Sequence, residues 1–494
     1  MGSKLAAEAL WKANGLPASW LSRLHLTENP DPAVNSSFKL GSVAQTTIGL
    51  SGLSAAHFHQ LNTGVEQNVS VDVRHAILEF KSELYYTVNG ELFSSGELWD
   101  PLAGVYRTKD DSFVRIHTNF PHHRQGILDI LGCAPTKDAV AAALLAWDSV
   151  AFEDAAAARS MCATALRTFE QWDAHPQGRA LAGAPPVQLV KVGDAPKRVP
   201  DASRRRPLEG VRVLDLTRVL AGPVCGRTLA AHGADVLWVT SPYLPALPAL
   251  DIDTSRGKRT TQLDLTDPAD RATLRELLGG ADVFLQAYRP GGLAAKGFAV
   301  RDVAAARPGI VYASLNAYGW DGPWRDRRGF DSLVQTATGF NAAEAAAYAA
   351  HSGEGGARPL PPRPFPMQAI DHAAGYLLAF GIHAALCRTI TEGGSWEVRV
   401  SLAAVGQWIR SLGQLAPGVG FAGEPLPPCT LPQAPEVRPL LVELKRAAGD
   451  GPGGAEGGVM CAIKHSAVLD ATPVREGDAP MRLDAHLPRW LPRP

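Results

Sequence analysis

The sequence predicts an α/β protein that combines a parallel sheet in its second half with a smaller α+β domain before it. From Leu208 onwards, the β-branched runs VRVLDL, DVLWV, TTQLDL, DVFLQ and IVYASL alternate with helical segments. Buried strands that alternate with helices are typical of parallel sheets with right-handed crossovers. Earlier in the chain, GVYRTKDDSFVRIHTNF has the pattern of a hairpin and leads into helical segments, which indicates a small α+β unit.

Changes in composition predict the boundaries between these units. Residues 193–207 (GDAPKRVPDASRRRP) have no apolar periodicity and are predicted to form a solvated linker. Residues 414–458, which include GDGPGGAEGG, are predicted to be a second linker, rich in Pro and Gly. The other predicted segments are an N-terminal unit (1–85), the small α+β domain (86–192), the α/β domain (208–413) and a C-terminal tail (459–494).

The bulk composition is that of an ordinary globular protein without a strong charge. The 494 residues include 48 basic and 49 acidic side chains, so no overall field favours nucleic acid or an anionic membrane surface. The six cysteines are far apart and form no CxxC pair, so neither a disulfide framework nor a zinc site is expected. We see no signal peptide and no apolar run of membrane-spanning length, and therefore expect a cytoplasmic protein.

An internal repeat links the N-terminal unit to the α/β domain. A shift of 329 residues, which places Gly52 on Gly381, aligns GLSAAHFHQLNTGVEQNVSVDV with GIHAALCRTITEGGSWEVRVSL without a gap. The pattern of helix, glycine turn and strand is therefore expected twice. The same shift places Ser42 opposite Asp371, so only the second copy has a carboxylate there.

Several basic side chains are candidates for an anion site at the edge of the sheet. The turn LTRVLAGP joins a strand to a helix whose first amides are free, although it lacks the GxGxxG fingerprint. Lys258 and Arg259 precede a predicted strand, Arg289 follows another, and Arg328 and Asp331 lie in the charged loop WRDRRGFD. Cations that meet at such a crevice suit a ligand with several phosphates. Solvated surface charge, or a helix cap at Asp331, is the alternative for each.

Asp371 is the candidate for chemistry. It follows Ile370 at the start of a helix of Ala, Gly, Tyr and Leu. It is either a helix cap or a carboxylate that the helix dipole keeps ionised while it loses bulk water, and the second environment suits a nucleophile.

Seven motifs in this order resemble the large domain of the family III CoA-transferases, also called the CaiB/BaiF family. They are LEGVRVLDLTRVLAGP, GADV, RGKRTTQLDL, ADVFLQAYRPGG, GWDGPWRDRRGFD, Asp371 before its helix, and TEGGSWEVRVS, over about 200 residues. The segment NTGVEQNVSVD resembles the last motif again. The chain is thus similar to a family member that is permuted, or fused with a partial N-terminal copy.

The resemblance implies a Rossmann-like CoA-binding domain and a ping-pong reaction on Asp371. Its carboxylate attacks an acyl-CoA thioester to give a mixed anhydride, the thiolate converts this into an aspartyl-CoA thioester, and an acceptor carboxylic acid completes the exchange. Coenzyme A is then a substrate, no metal is required, and a homodimer is implied. Positions that carry over as CoA-contacting are Leu220, Ala221, Lys258, Arg259, Leu263, Asp264, Ala287, Tyr288, Arg289, Arg328, Gly329, Phe330 and Asp331. The phosphate partners among them are Lys258, Arg259, Arg289 and Arg328.

The sequence also departs from the family pattern. Thr240 and Ser241 replace a Glu and the Pro or Arg after it, and 89–96 (NGELFSSG) is a poor match to a glycine-rich lid. Two alternatives to transferase chemistry follow. An α-methylacyl-CoA racemase has a His where this chain has Phe330, which leaves His372 as the only substitute nearby in sequence. A catalytically silent CoA-binding subunit is the other.

Overall fold

The computed structural model describes residues 1–92, 99–353, 360–445 and 458–493. The strands are β1 (Leu24–Leu26), β2 (Val69–Val71), β3 (Thr87–Val88), β4 (Glu91–Leu92), β5 (Gly104–Arg107), β6 (Phe113–Ile116), β7 (Ala163–Ala165), β8 (Gln188–Gly193), β9 (Arg212–Leu216), β10 (Asp235–Thr240), β11 (Arg259–Gln262), β12 (Val283–Gln286), β13 (Val311–Asn316), β14 (Ser395–Ser401), β15 (Leu441–Lys445), β16 (Val459–Ile463) and β17 (Ala467–Leu469).

The helices are α1 (Ser3–Ala13), α2 (Leu40–Thr63), α3 (Val73–Glu79), α4 (Pro121–Leu131), α5 (Lys137–Leu144), α6 (Ser149–Ala158), α7 (Phe169–Ala174), α8 (Pro176–Ala180), α9 (Ala221–Ala231), α10 (Pro248–Thr254), α11 (Pro268–Gly280), α12 (Val300–Ala306), α13 (Asp331–Ala337), α14 (Phe340–Ser352), α15 (Ala369–Thr391), α16 (Leu402–Ser411) and α17 (Pro417–Gly420).

A seven-stranded sheet forms the centre of the second half, in the order β11-β10-β9-β12-β13-β14-β8. Six strands are parallel and β8 is antiparallel to β14. When the parallel strands are counted along the chain from β9, their order is 3-2-1-4-5-6, which is that of doubly wound dinucleotide-binding sheets. The order reverses between β9 and β12, and ligands bind such sheets at the carboxyl ends of the strands around this point. The predicted α/β class is therefore confirmed.

The smaller α+β unit lies over the carboxyl edge of this sheet. Its three strands are ordered β5-β6-β7 and all pairs are antiparallel. Helices α4, α5 and α6 cover them, and the unit has its own apolar core around Val114, Ile127 and Phe152. This separate core is the smaller α+β domain that the sequence predicted.

The internal repeat is visible as a repeated structure. Helices α2 and α15 pack against each other, and their first residues are 329 positions apart, as in the sequence alignment. Strand β2 pairs in parallel with β1 and antiparallel with β17, just as β14 pairs in parallel with β13 and antiparallel with β8. The following helices, α3 and α16, also begin 329 residues apart. The two copies therefore share the order of helix and strand, the pairing directions of the strand, and the spacing of 329 residues.

Helix α15 is, within the described ranges, the one helix long and apolar enough to cross a membrane by length and composition, although the sequence alone indicated no such run. It lies in the protein core, where it packs on α2, α9 and β14. Its apolar side chains are therefore accounted for by internal packing.

The segments predicted to be linkers make specific contacts. In 193–207, the Arg198 amide donates to the Thr389 carbonyl (2.7 Å), and the Arg204 side chain is buried. In 414–458, α17 is followed by β15, which pairs with β16 of the C-terminal segment; residues 446–457 lie outside the described part. The C-terminal segment contributes β16 and β17, and Trp490 donates to the Leu277 carbonyl (2.8 Å). Residues 93–96 of the sequence compared with a lid also lie outside the described ranges.

Candidate functional site

Asp371 lies in the wall between two cavities at the carboxyl edge of the sheet. It is the third residue of α15 and is 7 % exposed. The larger cavity has a volume of about 1190 Å³ and the smaller of about 430 Å³, and Asp371 lines both. Its carboxyl group has no hydrogen-bond partner among the described residues. The side chain is thus buried but still faces the space that a ligand can occupy.

The larger cavity brings together most of the residues that the sequence predicted. It lies where the sheet order reverses, between the ends of β9, β12 and β13, and the small domain closes its other side. The predicted residues that line it are Leu220, Ala221, Ala287, Tyr288, Arg289, Arg328, Gly329, Phe330 and Asp371. Asp331 lines the smaller cavity instead.

Three arginines give the larger cavity a positive charge. Arg218, Arg289 and Arg328 all line it, and none has a carboxylate partner in the described part of the chain. Together with burial, they lower the pKa of His122, which also lines the cavity. Arg328 donates to the Nε2 atoms of His122 and His123, and its buried Nε has no partner. Guanidinium groups that lack a carboxylate partner suit an anionic, phosphate-bearing ligand.

The smaller cavity lies on the other side of Asp371 and mixes apolar and polar walls. Trp99, Leu247 and Leu250 supply apolar surface, and the ring of Phe330 stacks on His117 at 3.8 Å between centroids. The other lining residues are Glu83, His117, Asn119, Val219, Leu220, Asp331, Ser332 and Gln368. The cavity is therefore closed by the N-terminal unit, the small domain and the α/β domain together.

The environment of Asp371 opposes its ionisation. Burial, the Asp331 carboxylate and the Glu83 carboxylate raise the pKa of Asp371 well above its ordinary value. The Ile370 and Asp371 amides, which could have stabilised an Asp371 anion, donate instead to Asp331 Oδ2 (2.8 and 2.9 Å). Burial raises the pKa of Asp331 to about 6 despite these bonds. The amides at the start of the helix therefore stabilise the Asp331 carboxylate directly, and the ionised form of Asp371 has a raised free energy.

The backbone at Val219 is strained where both cavities meet. Its φ is +73°, a left-handed conformation that a β-branched residue rarely adopts. Such residues cost about 1–3 kcal/mol and concentrate at functional sites. Val219 lines both cavities in the turn between β9 and α9.

The structure corrects two of the predicted phosphate partners. Lys258 and Arg259 stand at the amino end of β11, whereas the cavity lies at the carboxyl ends of the strands. The Lys258 ammonium is buried and donates to Asp215 Oδ2 (2.8 Å) and to the Pro223 carbonyl (2.9 Å). Arg259 forms an ion pair with Asp235 (2.8 Å) at the start of β10. Both cations are already neutralised within the fold, away from the cavity.

Two further predicted contacts lie at the far edge of the sheet. Leu263 is buried in the core between the sheet and α11. The Asp264 carboxylate accepts a hydrogen bond from the Thr266 hydroxyl (2.7 Å) at the surface. Both follow the edge strand β11, and neither lines the cavities that contain Asp371. Their contact with coenzyme A stays a prediction.

Sequence reasoning missed the site residues outside the α/β motifs. Glu83, His117, His122 and His123 come from the N-terminal unit and the small domain. No local pattern singles them out, because only the tertiary fold brings them to Asp371. Arg218 could have been found, since it is the second residue after the end of a predicted strand.

His372 does not face the cavities. Its Nε2 lies 3.1 Å from Glu83 Oε2, and its ring stacks on Phe80 and is fully buried. In the described ranges no group of three or more His, Cys, Asp or Glu side chains could hold a metal ion.

The fold and the site define an α/β protein with a buried carboxyl group beside a cationic cavity. Residues 208–417 match the model of CoA-transferase family III. This confirms the resemblance drawn from the sequence motifs.

The chain is similar to several acyl-CoA transferases. It is 29% identical over 404 residues to an acyl-CoA transferase of Gibberella moniliformis, which covers 74% of this chain and 68% of that protein. It is 33% identical over 220 residues to a probable fatty acyl-CoA transferase of Mycobacterium tuberculosis (41% of this chain, 52% of that protein). It is also 33% identical over 152 residues to human succinyl-CoA:glutarate CoA-transferase (28% and 35%). The chain thus spans between about a third and two thirds of these relatives.

Among solved structures, one of a Mycobacterium tuberculosis hypothetical protein is 32% identical. The match covers 42% of this chain and 59% of the chain in that structure, with a TM-score of 0.37.

Proposed function

We propose that this protein transfers coenzyme A from an acyl-CoA thioester to a carboxylic acid, with Asp371 as the nucleophile. The observation that carries this proposal is the position of the Asp371 carboxyl group in both cavities. A thioester that lies across the wall would have its CoA portion in the larger cavity and its acyl group in the smaller one. Its carbonyl carbon would then lie beside Asp371.

The walls of the larger cavity suit the two ends of coenzyme A. Arg218, Arg289 and Arg328 provide guanidinium groups without carboxylate partners, which can bind phosphate oxygens. Leu220 and Ala221, at the start of α9, provide apolar surface for the pantetheine arm closer to Asp371. The cationic and apolar parts of one cavity therefore match a ligand that is charged at one end only.

The proposed reaction proceeds in four balanced steps. The Asp371 carboxylate attacks the thioester carbon, the C–S bond breaks, and an acyl-aspartyl anhydride and a CoA thiolate form. The thiolate attacks the Asp371 carbonyl carbon, which releases the donor carboxylate and leaves an aspartyl-CoA thioester. An acceptor carboxylate attacks this thioester to give a second anhydride and free thiolate. The thiolate then attacks the acceptor carbonyl, which yields the new acyl-CoA and restores the Asp371 carboxylate.

The acidic surroundings of Asp371 favour formation of the covalent intermediates. Asp331 and Glu83 raise the free energy of the Asp371 anion, as the direction of its pKa shift reflects. Conversion into an anhydride or a thioester removes that negative charge from a buried acidic site. The repulsion is thus relieved when the covalent bond forms, which is a form of ground-state destabilisation.

Racemase chemistry is less well supported by the same site. Phe330 cannot exchange a proton, and His372 is directed towards Glu83. His117 lines the smaller cavity, but burial and Arg115 lower the pKa of His117 to about 3. An imidazole with that pKa is neutral at physiological pH and is a poor acid for an exchange of α-protons.

One active site per chain follows from the repeat. Ser42 takes the place of Asp371 in the first copy, and a hydroxyl group cannot carry the anhydride. The resemblance also implies a cytoplasmic homodimer, which we include in the proposal. Light scattering during size-exclusion chromatography measures the number of chains directly.

The test is the covalent adduct on Asp371. Incubation with a panel of acyl-CoA thioesters is expected to add an acyl or a CoA mass that hydroxylamine removes, and peptide mapping should place it on Asp371. The Asp371→Asn variant should show no adduct, whereas Ser42→Ala should label as the wild type does. A protein that binds coenzyme A but acquires no adduct from any thioester would instead be a silent binding subunit, and the proposal would be wrong.

A further inference from the structure

The smaller cavity has an unusual charge for a site that would accept carboxylic acids. Three of its lining side chains are carboxyl groups, namely Glu83, Asp331 and Asp371, and its described lining contains no Lys or Arg. The guanidinium group of Arg115 does not line the cavity but interacts electrostatically with two residues that do, Asp331 and His117. An additional carboxylate in this cavity would therefore meet like charges, and no cation among the described lining residues is available to pair with it.

The same cavity contains neutral groups with unused hydrogen-bonding capacity. The Ser332 hydroxyl and the Gln368 side-chain amide line it, and neither has a hydrogen-bond partner among the residues that the structure describes. His117 is 4 % exposed, and its Nδ1 is buried without a partner. Buried polar groups are normally paired, because an unpaired one has lost its hydrogen bonds to water without replacement. His117 Nδ1 is such a buried, unpaired atom, and the Ser332 hydroxyl and the partly accessible Gln368 amide lie in the same lining, so the three can pair with one polar, uncharged ligand group.

The size of the cavity limits the group that it can accept. The cavity is small, and the reacting carbonyl beside Asp371 would take up part of it. Leu247, Leu250 and Trp99 enclose the remainder with apolar surface. This space fits a short aliphatic chain better than a long one.

We propose that this cavity selects a short acyl group that ends in an uncharged hydrogen-bonding substituent, such as a hydroxyl, and rejects an acyl group that ends in a second carboxylate. Ser332, Gln368 and His117 bind the neutral substituent, and Glu83 repels the charged one. The inference rests on the proposed transferase function, for which the cavity holds the acyl group.

Three thioesters of equal chain length test this selection. Propionyl-CoA, 3-hydroxypropionyl-CoA and malonyl-CoA differ only in a terminal methyl, hydroxymethyl or carboxylate group. The measurement is the second-order rate constant for adduct formation on Asp371, followed by rapid quenching and intact mass. We expect the hydroxyl compound to react fastest and malonyl-CoA to react slower than it by about tenfold or more, since like charges that face each other in a site repel.

The outcomes separate the two proposals. Malonyl-CoA that reacts as fast as 3-hydroxypropionyl-CoA, or a hydroxyl compound slower than propionyl-CoA, overturns the selectivity but leaves the transferase function intact. The absence of an adduct from all three, and from the wider panel, overturns the function and the selectivity with it.

Two variants test the cause of the selection. Gln368→Lys places a cation in the cavity, and Glu83→Gln removes a negative charge; each should raise the ratio of the malonyl to the propionyl rate constant about tenfold. Because Glu83 also contacts His372, only this ratio within one variant is compared, so a common loss of activity cancels. Gln125→Lys, on the exposed surface of α4, is the matched control and should leave the ratio unchanged. An unchanged ratio in a folded Gln368→Lys protein contradicts the electrostatic cause.

Discussion

Replacement of Asp371 by Asn should make the protein more stable while it abolishes transfer. Asn has almost the same shape as Asp but carries no charge. In the wild type, an ionised Asp371 is buried beside Asp331 and Glu83, and no donor is directed at it. The substitution therefore removes repulsion and desolvation without opening a cavity.

The magnitude follows from the geometry at the start of α15. The Asp371 amide nitrogen lies 2.9 Å from Asp331 Oδ2. Through the bonds of the residue itself, that nitrogen is less than about 4 Å from its own carboxyl carbon, so the two carboxyl groups are at most about 7 Å apart. With an effective dielectric constant of about 20, two unit charges at this separation repel by about 2 kcal/mol. We expect a gain in the free energy of unfolding of about this size at a pH where both groups are ionised.

The pH dependence identifies the cause. A carboxyl group whose pKa is raised on folding costs nothing below its unfolded pKa of about 3.9, where it is neutral in both states. Its cost increases as the pH rises and levels off above the folded pKa. The difference in melting temperature between Asp371→Asn and the wild type should therefore grow from about pH 4 towards pH 8.

Differential scanning fluorimetry across this range measures the difference, with Asp302→Asn as the control. Asp302 is exposed in the first turn of α12, so its replacement should give a small shift that does not grow with pH. If Asp371→Asn is destabilising, or if its effect is the same at every pH, the account of a repelled, buried carboxylate is wrong.

Two further predictions concern Arg328 in the larger cavity and the packing of α15 on α9. Arg328→Ala should raise the KM for an acyl-CoA about tenfold, because charge-assisted hydrogen bonds contribute about 1.5–3 kcal/mol, whereas Arg325→Ala, at an exposed ion pair outside the cavity, should leave the KM unchanged in steady-state assays. Gly375→Ala should lower the melting temperature, because its new Cβ would lie 2.6 Å from a backbone oxygen of α9, and overpacking costs about 1–3 kcal/mol; Gly279→Ala, with open space around it, should not. If Arg325→Ala raises the KM as much as Arg328→Ala does, Arg328 does not bind the ligand. If Gly279→Ala lowers the melting temperature as much as Gly375→Ala does, the close contact at Gly375 is not the cause.

The α/β core could be predicted because its signals are local. Each strand from VRVLDL to IVYASL is a continuous buried run, and the turn after each brings Leu220, Ala287 and Arg289 to the carboxyl edge without further information. Asp371 was found in the same way, as a charged residue at the start of an otherwise apolar helix. In these cases, the local sequence already determines which end of the sheet a residue occupies.

The remainder of the site depends on contacts between distant parts of the chain. Glu83 and His117 are 288 and 254 positions before Asp371, and nothing in their own neighbourhoods indicates that they line its cavity. Lys258 was misassigned for a related reason. Its motif is rich in positive charge, which suggested a phosphate site. In the structure, however, Lys258 lies before β11 and forms an ion pair with the carboxylate of Asp215, away from the cavity. Charge is visible in a sequence, whereas its neutralisation by a partner on another strand is not.

The two copies of the repeat show why the acidic pair in the second copy is a functional feature and not a requirement of the fold. In the first copy, Asp31 lies at the start of α2, where its Oδ1 accepts the Ser42 amide (3.1 Å), as Asp331 accepts the amide of Asp371 at the start of α15. Burial raises the pKa of Asp31, but the Ser42 hydroxyl donates to its other oxygen, so this site contains one carboxyl group and a donor for it. The second copy has a second carboxyl group in place of that donor. Since the same helix, strand and register form with Ser42, folding does not need Asp371, and a buried repulsion that folding does not need is best explained by the chemistry it permits.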